Sequence, residues 1–248
     1  MAGPQTFVKD GGIWHQVSQI WINVAGVWKQ VQQAYTRISG VWELTFVSFT
    51  PHTDDYTAPG SYTPAVPFGA SSVTIYVTGG GGGGVLNTGG TISLGGNAAG
   101  TAQRTVTLSS SDWGKTISFT VGSGGPGTAY PSAGGGSGNY GSNSSLSASL
   151  SAGSISMTGG AGTSSGGTAT GGTTNTTGGS GSANENIRGG DSVWANGGAN
   201  VSGTSAPVIG GNGSTGSGGG GVLATGAGFG AGTRAGNGGD GLVRLAWS

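Results

Sequence analysis

Residues 72–84 read SVTIYVTGGGGGG and join two kinds of sequence without a break. In the first half, the apolar residues Val73, Ile75 and Val77 alternate with Thr and Tyr, which predicts a β-strand with one buried face. The second half is six consecutive glycines, which have no side chain to bury. The stretch therefore predicts a strand that runs directly into a glycine segment, and the rest of the chain repeats this combination.

Glycine dominates the chain from about residue 79 to residue 241. It makes up 60 of the 248 residues, in runs interrupted mostly by Ser, Thr, Ala and Asn. Glycine loses the most backbone freedom on folding and adds no side-chain burial, so an ordinary hydrophobic core cannot stabilise this part. We therefore expect a bundle of polyproline II-type glycine strands, which pack closely without Cβ atoms and satisfy their backbone groups by lateral hydrogen bonds.

Further β-type runs interrupt and flank the glycine segments. The predicted strands are 62–66, 73–77, 104–108, 116–121, 146–150, 154–157 and 242–247. In the last of them, LVRLAW, the residues Val243, Leu245 and Trp247 would share one face. Because strands stand at both ends of the glycine-rich region, we expect the first and the last to pair in one sheet. The glycine segments would then extend from the rim of a β-sandwich.

Residues 1–47 differ from the rest, since they hold four of the seven tryptophans and little glycine. A 14-residue repeat brings back the pattern Gly-x-Trp at 12–14, 26–28 and 40–42. Apolar residues in this region also recur at steps of three and four, which fits the heptad seam of a coiled coil. The mid-repeat glycines and the many β-branched and aromatic residues instead favour β-hairpins.

In the hairpin interpretation, the two-residue turns are 11–12, 25–26 and 39–40, with glycine where positive φ is needed. A polar residue would then lie opposite a tryptophan in each hairpin, in the pairs Lys9–Trp14, Asn23–Trp28 and Arg37–Trp42. The first and third of these are expected to be cation–π pairs.

The charge and composition of the chain exclude several classes of function. Eight basic and eight acidic residues give a formal net charge of zero, which leaves no electrostatic footprint for nucleic acid or an anionic membrane. There is no cysteine, and no apolar stretch approaches the roughly 20 residues of a transmembrane helix. The N-terminus lacks the layout of a signal peptide, so we expect the protein to reach the outside by another route, of which assembly into a virion released by lysis is one.

Sequence patterns for catalysis and ligand binding are weak. Residues 122–127, GSGGPG, match the dinucleotide pattern GxGxxG, but the residues that follow cannot form the helix that binds the pyrophosphate. His15 and His52 lie far apart in the sequence. The adjacent carboxylates Asp54 and Asp55 fit a solvated linker better than a cation site. We therefore expect a protein that is not an enzyme and has no cofactor and no metal ion.

Bulky side chains are rare in the glycine-rich region, and their positions are informative for that reason. A glycine bundle cannot bury aromatic rings between its strands, so these rings should lie outside, where aromatic residues beside Arg and Asn are typical of binding hot spots. The residues predicted to contact a receptor are Tyr130, Pro131, Tyr140, Asn186, Arg188, Trp194 and Asn196. We expect the aromatic ones to cluster at one end of the molecule beside the segment 184–196. The alternative is that they cap the open ends of the bundle.

Four segments resemble the glycine-rich domains of bacteriophage tail proteins. They are APGSYTPAVPFGASSVTIYVTGGGGGG at 58–84, GKTISFTVGSGGPG at 114–127, SISMTGGAG at 154–162 and GGDGLVRLAWS at 238–248. In that group, a sandwich strand feeds directly into polyglycine, and a strand after a last Gly-Gly closes the sheet. The expected polyglycine packing also resembles that of the receptor-binding adhesins at the tips of the long tail fibres of T-even-type phages. The resemblance implies recognition residues in loops at the distal ends of the glycine strands.

These features predict an all-β protein with essentially no α-helix. Residues 1–47 would form an attachment module of β-hairpin repeats, 48–56 a linker, and 57–248 a β-sandwich with a long inserted polyglycine or polyproline II-type bundle. The expected function is that of a phage tail-fibre or tail-tip adhesin, located on the virion and exposed to the extracellular medium. The module 1–47, with Trp14, Trp28 and Trp42 as attachment residues, would bind a tail-fibre or baseplate protein. The glycine-rich loops would bind a host surface protein or glycan.

Two rival functions stay open at this point. The Thr-rich run GGTATGGTTNTTGG at 166–179 fits an ice-binding protein, because a bundle of polyproline II glycine strands presents flat faces. Against this function, an ice-binding protein needs neither a Trp-containing docking module nor a sandwich. The second rival is a purely structural tail component whose glycine region only spaces and stiffens. The oligomeric state is open as well, with a homotrimer as one option.

Overall fold

The computed structural model describes residues 6–17, 19–87, 95–129, 139–163, 166–181, 189–199, 201–203, 209, 211–219, 222–224 and 234–248. Over these residues the chain is nearly all β, and its one described helical turn is the 3-10 turn Ser110–Asp112. The predicted all-β class, with N-terminal hairpins and multiple antiparallel sheets, is confirmed.

Three antiparallel hairpins make up residues 6–47, which we call the hairpin module. Their strands are β1 (Phe7–Asp10), β2 (Ile13–Gln16), β3 (Trp21–Val24), β4 (Val27–Gln30), β5 (Gln33–Ile38) and β6 (Val41–Val47). Both residues of each two-residue turn have positive φ, between 49° and 89°, which is the type I′ geometry that matches hairpin twist. The registers contain all three expected pairs, Lys9–Trp14, Asn23–Trp28 and Arg37–Trp42. The hairpin prediction is therefore confirmed over the coiled coil.

Two antiparallel sheets form the β-sandwich. The remaining strands are β7 (His52–Tyr56), β8 (Gly60–Tyr62), β9 (Ser72–Thr78), β10 (Leu86–Asn87), β11 (Thr101–Thr107), β12 (Ile117–Val121), β13 (Ser144–Leu150), β14 (Gly153–Gly159), β15 (Thr174–Thr176), β16 (Val201–Gly203), β17 (Val222–Ala224) and β18 (Leu242–Trp247). The five-stranded sheet has the order β15-β11-β9-β18-β7, and the four-stranded sheet has the order β14-β13-β12-β8. A separate parallel sheet contains β10, β17 and β16.

The hydrophobic core lies between the two sheets of the sandwich. Val73, Ile75 and Val77 of β9 face it, as their alternation predicts. The neighbouring β18 contributes its predicted face, Val243, Leu245 and Trp247. The four-stranded sheet adds Ile117, Phe119, Val121, Leu146, Ala148, Leu150, Ile155 and Met157. β9 and β18, which bound the glycine-rich region, pair antiparallel as expected.

Part of the predicted linker at 48–56 is a strand. β7 occupies His52–Tyr56 and pairs with β18 at one edge of the five-stranded sheet. Its two carboxylates accept hydrogen bonds from β18, Asp54 from Trp247 and Asp55 from Arg244. The sequence HTDDY shows no apolar alternation. An edge strand does not need one, since its polar side chains can lie in solvent or bond to the neighbouring strand. The linker is therefore reduced to residues 48–51.

The glycine segments pack side by side in what we call the glycine lattice. Its described segments are 79–84, 95–100, 122–128, 139–143, 159–162, 166–169, 178–181, 189–191, 197–199, 211–219 and 235–241. Successive N–H groups of Gly80, Gly81 and Gly82 donate to three different neighbouring segments, each at 2.8 Å. The N–H groups of Gly83 and Gly84 return to the first two of those segments at 2.9 Å. This period of three matches the three residues per turn of a polyproline II helix.

The carbonyl groups of the same glycines accept from further segments of the lattice. Those of Gly80, Gly81 and Gly82 accept from the N–H groups of Gly162, Gly125 and Gly219. Among the described residues, segment 79–84 is thus hydrogen-bonded to six others, which satisfies its buried backbone without any side chain. The expected lateral packing of polyproline II-type glycine strands is confirmed.

Asparagine and aspartate side chains complete the lattice where no backbone carbonyl is aligned. The Oδ1 atoms of Asn97, Asn143, Asn237 and Asp240 each accept from a backbone N–H of another segment, at 2.6 to 2.9 Å. The donors belong to Gly181, Ala161, Gly127 and Gly124. The Asn residues that interrupt the glycine runs therefore serve as backbone substitutes.

Candidate functional site

The hairpin module exposes most of its apolar side chains. Trp14, Trp28 and Trp42 are 64%, 65% and 66% exposed, and each follows an exposed aliphatic residue on the opposite face of its strand. Both faces of each hairpin are therefore apolar next to the turn. A two-stranded hairpin with neither face covered is marginally stable in water, and a large exposed apolar surface is typical of an interaction site.

Contacts between the hairpins fix how this surface is presented. The Thr6 hydroxyl donates to the carbonyl of Thr45, which joins the first hairpin to the third. The third hairpin also packs against the segment that contains Gly69, because a β-carbon on Gly69 would lie 3.0 Å from Cγ1 of Val47 in β6. Phe46 in the same strand is 3% exposed. At this contact Gly69 has a φ of 89°, and a β-carbon there would lie only 2.8 Å from the Cβ of Phe49. The module is thus held against the sandwich while its tryptophans stay accessible.

The three hairpins have the same turn conformation but differ in the polar contact beside each tryptophan. Lys9 Nζ lies 5.8 Å from the centroid of the Trp14 ring, as the expected cation–π pair requires. Arg37 instead donates its Nε to a carbonyl of its own turn at 3.3 Å. Asn23 Oδ1 accepts from the turn backbone at 2.9 Å. Of the two expected cation–π pairs, the structure forms the one in the first hairpin.

Trp194 packs on the outer face of the five-stranded sheet. Its Nε1 donates to the hydroxyl of Thr78, which is fully buried, at 2.8 Å. Its ring meets that of Tyr76 edge to face, with centroids 5.2 Å apart. The guanidinium of Arg244 lies 4.7 Å from the indole and donates two 2.6 Å hydrogen bonds to Asp55. These contacts fasten the segment after 189–191 to β9 and β18.

The hydrogen bonds between Arg244 and Asp55 favour the charged forms of both groups. The hydrogen bonds from Arg244 lower the pKa of Asp55, and the same bonds raise the pKa of Arg244. Desolvation, followed by the nearby carboxylate of Asp54, raises the pKa of Tyr56. Asp55 and Arg244 therefore form an ion pair whose guanidinium stacks on the indole of Trp194, an arrangement that stabilises a loop.

The structure does not bring the two described aromatic residues of the predicted receptor site together. Tyr140 is 50% exposed and lies in segment 139–143, beside Gly80 and Gly83, partway along the lattice. Trp194 is half-buried against Thr78, where the lattice leaves the sandwich, and Asn196 is exposed two residues later. The predicted residues Tyr130, Pro131, Asn186 and Arg188 lie outside the described residues. Receptor binding by this set stays a prediction.

A second surface was missed at the sequence level and lies on the outer face of the four-stranded sheet. We call it the hydroxyl face: Ser61, Ser118, Thr120, Ser145, Ser147, Ser149, Ser154, Ser156 and Thr158. Registers align them in rows across the strands, one of which is Ser61-Thr120-Ser145-Thr158. The alternation of Ser with apolar residues in SLSASL and SISMT was the available signal.

Within the described residues, no helix has the length and apolar character to cross a membrane, and no group of three or more His, Cys, Asp or Glu side chains could hold a metal ion.

Comparison with protein families matches most of this architecture to one family. The model of that family, described as a glycine-rich domain, matches residues 57–248, which begin directly after β7 and include the lattice and most of the sandwich. The chain belongs to the glycine-rich domain family. No protein of curated function matches the chain. The expected resemblance is thus confirmed as a glycine-rich domain, and the phage origin is a matter for proposal.

Proposed function

We propose that this glycine-rich domain protein is a non-enzymatic component of a phage virion, a tail-fibre or tail-tip adhesin exposed to the extracellular medium. The hairpin module attaches it to a tail-fibre or baseplate protein. The glycine-rich domain presents loops to a protein or glycan on the host surface.

The exposure of the hairpin tryptophans is the observation that carries this proposal. Three repeats place an indole at the same position beside the turn, each about two-thirds exposed, and aromatic side chains of this kind are the commonest anchors of protein interfaces. A chain that kept this surface in water would risk aggregation. An attachment module covered by a partner explains both the exposure and the repeat.

The glycine lattice suits the second half of the proposal. Its interior is stabilised by backbone hydrogen bonds, which are independent of the side chains at its margins. Connecting segments can therefore change sequence without loss of the scaffold, as binding loops on rigid frameworks generally do.

The experiment tests attachment directly with purified phage particles. In one variant Trp14, Trp28 and Trp42 are all replaced by Ser, and in the matched control the exposed residues that follow them, His15, Lys29 and Glu43, are all replaced by Ala. We expect the first variant to melt like the wild type but to be lost from particles, and the control to be retained. Mass spectrometry of the particles measures both. Equal retention of the two variants would contradict the proposal.

The hydroxyl face favours ice binding as a second candidate function. Its rows of short hydroxyl side chains repeat about 4.8 Å apart between strands and about 6.7 Å apart along them, a regular grid without charges. β15, within the Thr-rich run 166–179, adds exposed Thr174 and Thr176 at the edge of the other sheet. Thermal hysteresis of the wild type that disappears in Ser147→Tyr would support this function, and its absence in the wild type would remove it.

A further inference from the structure

A cleft lies where the third hairpin meets the sandwich. Its volume is 360 Å³, within the range of roughly 300 to 1,000 Å³ that is usual for small-molecule sites. Three parts of the chain line it: Gln32 and Gln33 at the start of β5, Ser48 and His52 on either side of the connection to β7, and Phe68 after β8. The hairpin module and the glycine-rich domain each contribute one wall.

The walls of this cleft are held in place before any ligand binds. The close approach of Gly69 to Val47, the last residue of β6, and to Phe49 holds the end of the third hairpin against the glycine-rich domain. Gln30 Nε2 donates to Ser48 Oγ at 3.1 Å, which brings the second hairpin to the same connection. The His52 ring lies 5.7 Å from that of Phe49, with its Nδ1 3.0 Å from the carbonyl of Thr50. A preformed site loses less entropy when it binds a ligand.

The chemistry of the lining combines two exposed aromatic rings, those of Phe68 and His52, with amide and hydroxyl groups. Phe68 is 48% exposed, and Trp113 supports it from behind with ring centroids 6.2 Å apart. Gln33 Oε1 accepts from Tyr35 at 3.2 Å, so its amide nitrogen faces other partners as a donor. The exposed side chain of Gln32 makes no hydrogen bond to another described residue, which leaves it one acceptor and two donors.

The lining contains no carboxylate, lysine or arginine among the described residues, so it favours a neutral ligand. Amide and hydroxyl groups both donate and accept, which is what a polyhydroxylated ligand requires, and an aromatic face packs against the C–H face of a sugar ring. A proline-rich peptide fits less well, because it docks on extended grooves lined by several exposed aromatic rings. The exposed rings here are only those of Phe68 and His52 among the lining residues.

We infer that this junction cleft binds a ring of a neutral saccharide, stacked on Phe68 and hydrogen-bonded by Gln32, Gln33 and Ser48. The inference goes beyond the adhesin proposal, because it concerns the junction and not the loops of the lattice. It holds or fails whatever particle carries the chain.

Saturation-transfer difference NMR on the full chain tests the inference, with glucose, galactose, mannose and N-acetylglucosamine as probes. We expect transfer to at least one of them, and a titration in which Phe68→Ala and Gln32→Ala each raise Kd about tenfold or more. Phe7→Ala, which removes a similarly exposed aromatic ring outside the cleft, should bind like the wild type.

Phe68 contacts Trp113, so a thermal melt accompanies that variant, and Gln32→Ala provides a test at an exposed side chain without described partners. The inference is overturned if no probe shows saturation transfer to the wild type, or if Gln32→Ala binds with unchanged Kd. Tighter binding of glucuronic acid than of glucose, or binding of a polyproline peptide alone, would overturn it as well.

Discussion

The hairpin module and the glycine lattice reach an ordered structure by opposite means. In the lattice, no side chain separates the strands, and each N–H of residues 80–84 donates to a neighbouring segment. In the hairpin module, the backbone of each hairpin is paired, but most of the apolar side chains remain in solvent. Stability thus resides in the backbone of one region, whereas the side chains of the other are available to a partner. Substitutions should therefore act differently in the two regions.

The largest expected effect is that of a single methyl group in the lattice. A β-carbon on Gly81 would overlap the carbonyl of Ser217, so Gly81→Ala must push two strands apart and break several hydrogen bonds. We expect a loss of more than about 4 kcal/mol in the free energy of unfolding. The same change at Gly26, in a hairpin turn with open space around it and a φ of 85°, should cost only about 1 kcal/mol from backbone strain.

Denaturant melts of the two variants compare the regions directly. Similar losses at Gly81 and Gly26 would show that the lattice tolerates side chains, and would contradict the packing on which the comparison rests.

A buried carboxylate in the sandwich should give the next largest effect. Asp112 is fully buried and accepts from the N–H and hydroxyl groups of Ser109 and Ser151 and from Lys115 Nζ at 2.9 Å. We expect Asp112→Asn to destabilise the domain by about 3 kcal/mol, because the substitution breaks this network and leaves donors facing each other. Lys115→Met, which removes only the half-exposed partner, should cost less, and a melt of both variants measures the difference.

The same residue predicts a dependence of stability on pH. Desolvation acts to raise the pKa of Asp112, but the hydrogen bonds from Ser151, Ser109 and Lys115 outweigh it and hold the pKa well below its usual value of 3.8. Asp112 therefore adds stability that is complete above about pH 4 and is lost as the pH falls further. Wild type should lose stability below pH 4 more steeply than Asp112→Asn. Parallel curves for the two proteins would contradict this account.

Truncation of a tryptophan should lower the free energy of unfolding more at Trp194, which packs on the sandwich, than at Trp28, which is exposed in the hairpin module. Trp194→Ala removes the hydrogen bond to Thr78 and the stack on Arg244, and we expect a loss of about 2 kcal/mol. Trp28→Ala removes a side chain that is 65% exposed, and we expect a change within about 0.5 kcal/mol. Thermal melts check the stability of both. A loss of this size would identify Trp194 as a packing residue, whereas an unchanged melting temperature would fit a receptor anchor.

Much of the fold could be predicted from the sequence because it depends on short-range patterns. Three local patterns predict their structure without reference to distant residues: the alternation in SVTIYV, the Gly-containing turns and the 14-residue repeat. β7 could not be found in this way, because the contacts that define it, such as Asp55 with Arg244, join residues 189 positions apart. Of the candidate site, the sequence predicted the attachment tryptophans of the hairpins, Trp14, Trp28 and Trp42. The position of Trp194 depends on where a glycine strand returns to the sheet, and glycine runs contain no register signal.

The smallest expected effect concerns the cation–π pair of Lys9 and Trp14 in the first hairpin. Lys9 lies over Trp14, whereas the equivalent residue of the second hairpin is Asn23, so Lys9→Asn converts the first hairpin to the pattern of the second. An exposed cation–π pair is worth about 0.5 to 1 kcal/mol, and salt screens it weakly at this short range. We expect a loss of about 0.5 kcal/mol in the free energy of unfolding, measured by the melt of the full chain. A larger loss of unfolding free energy would mean that Lys9 holds the first hairpin against the third. The side chains of the hairpin module would then contribute more to its order than their exposure indicates.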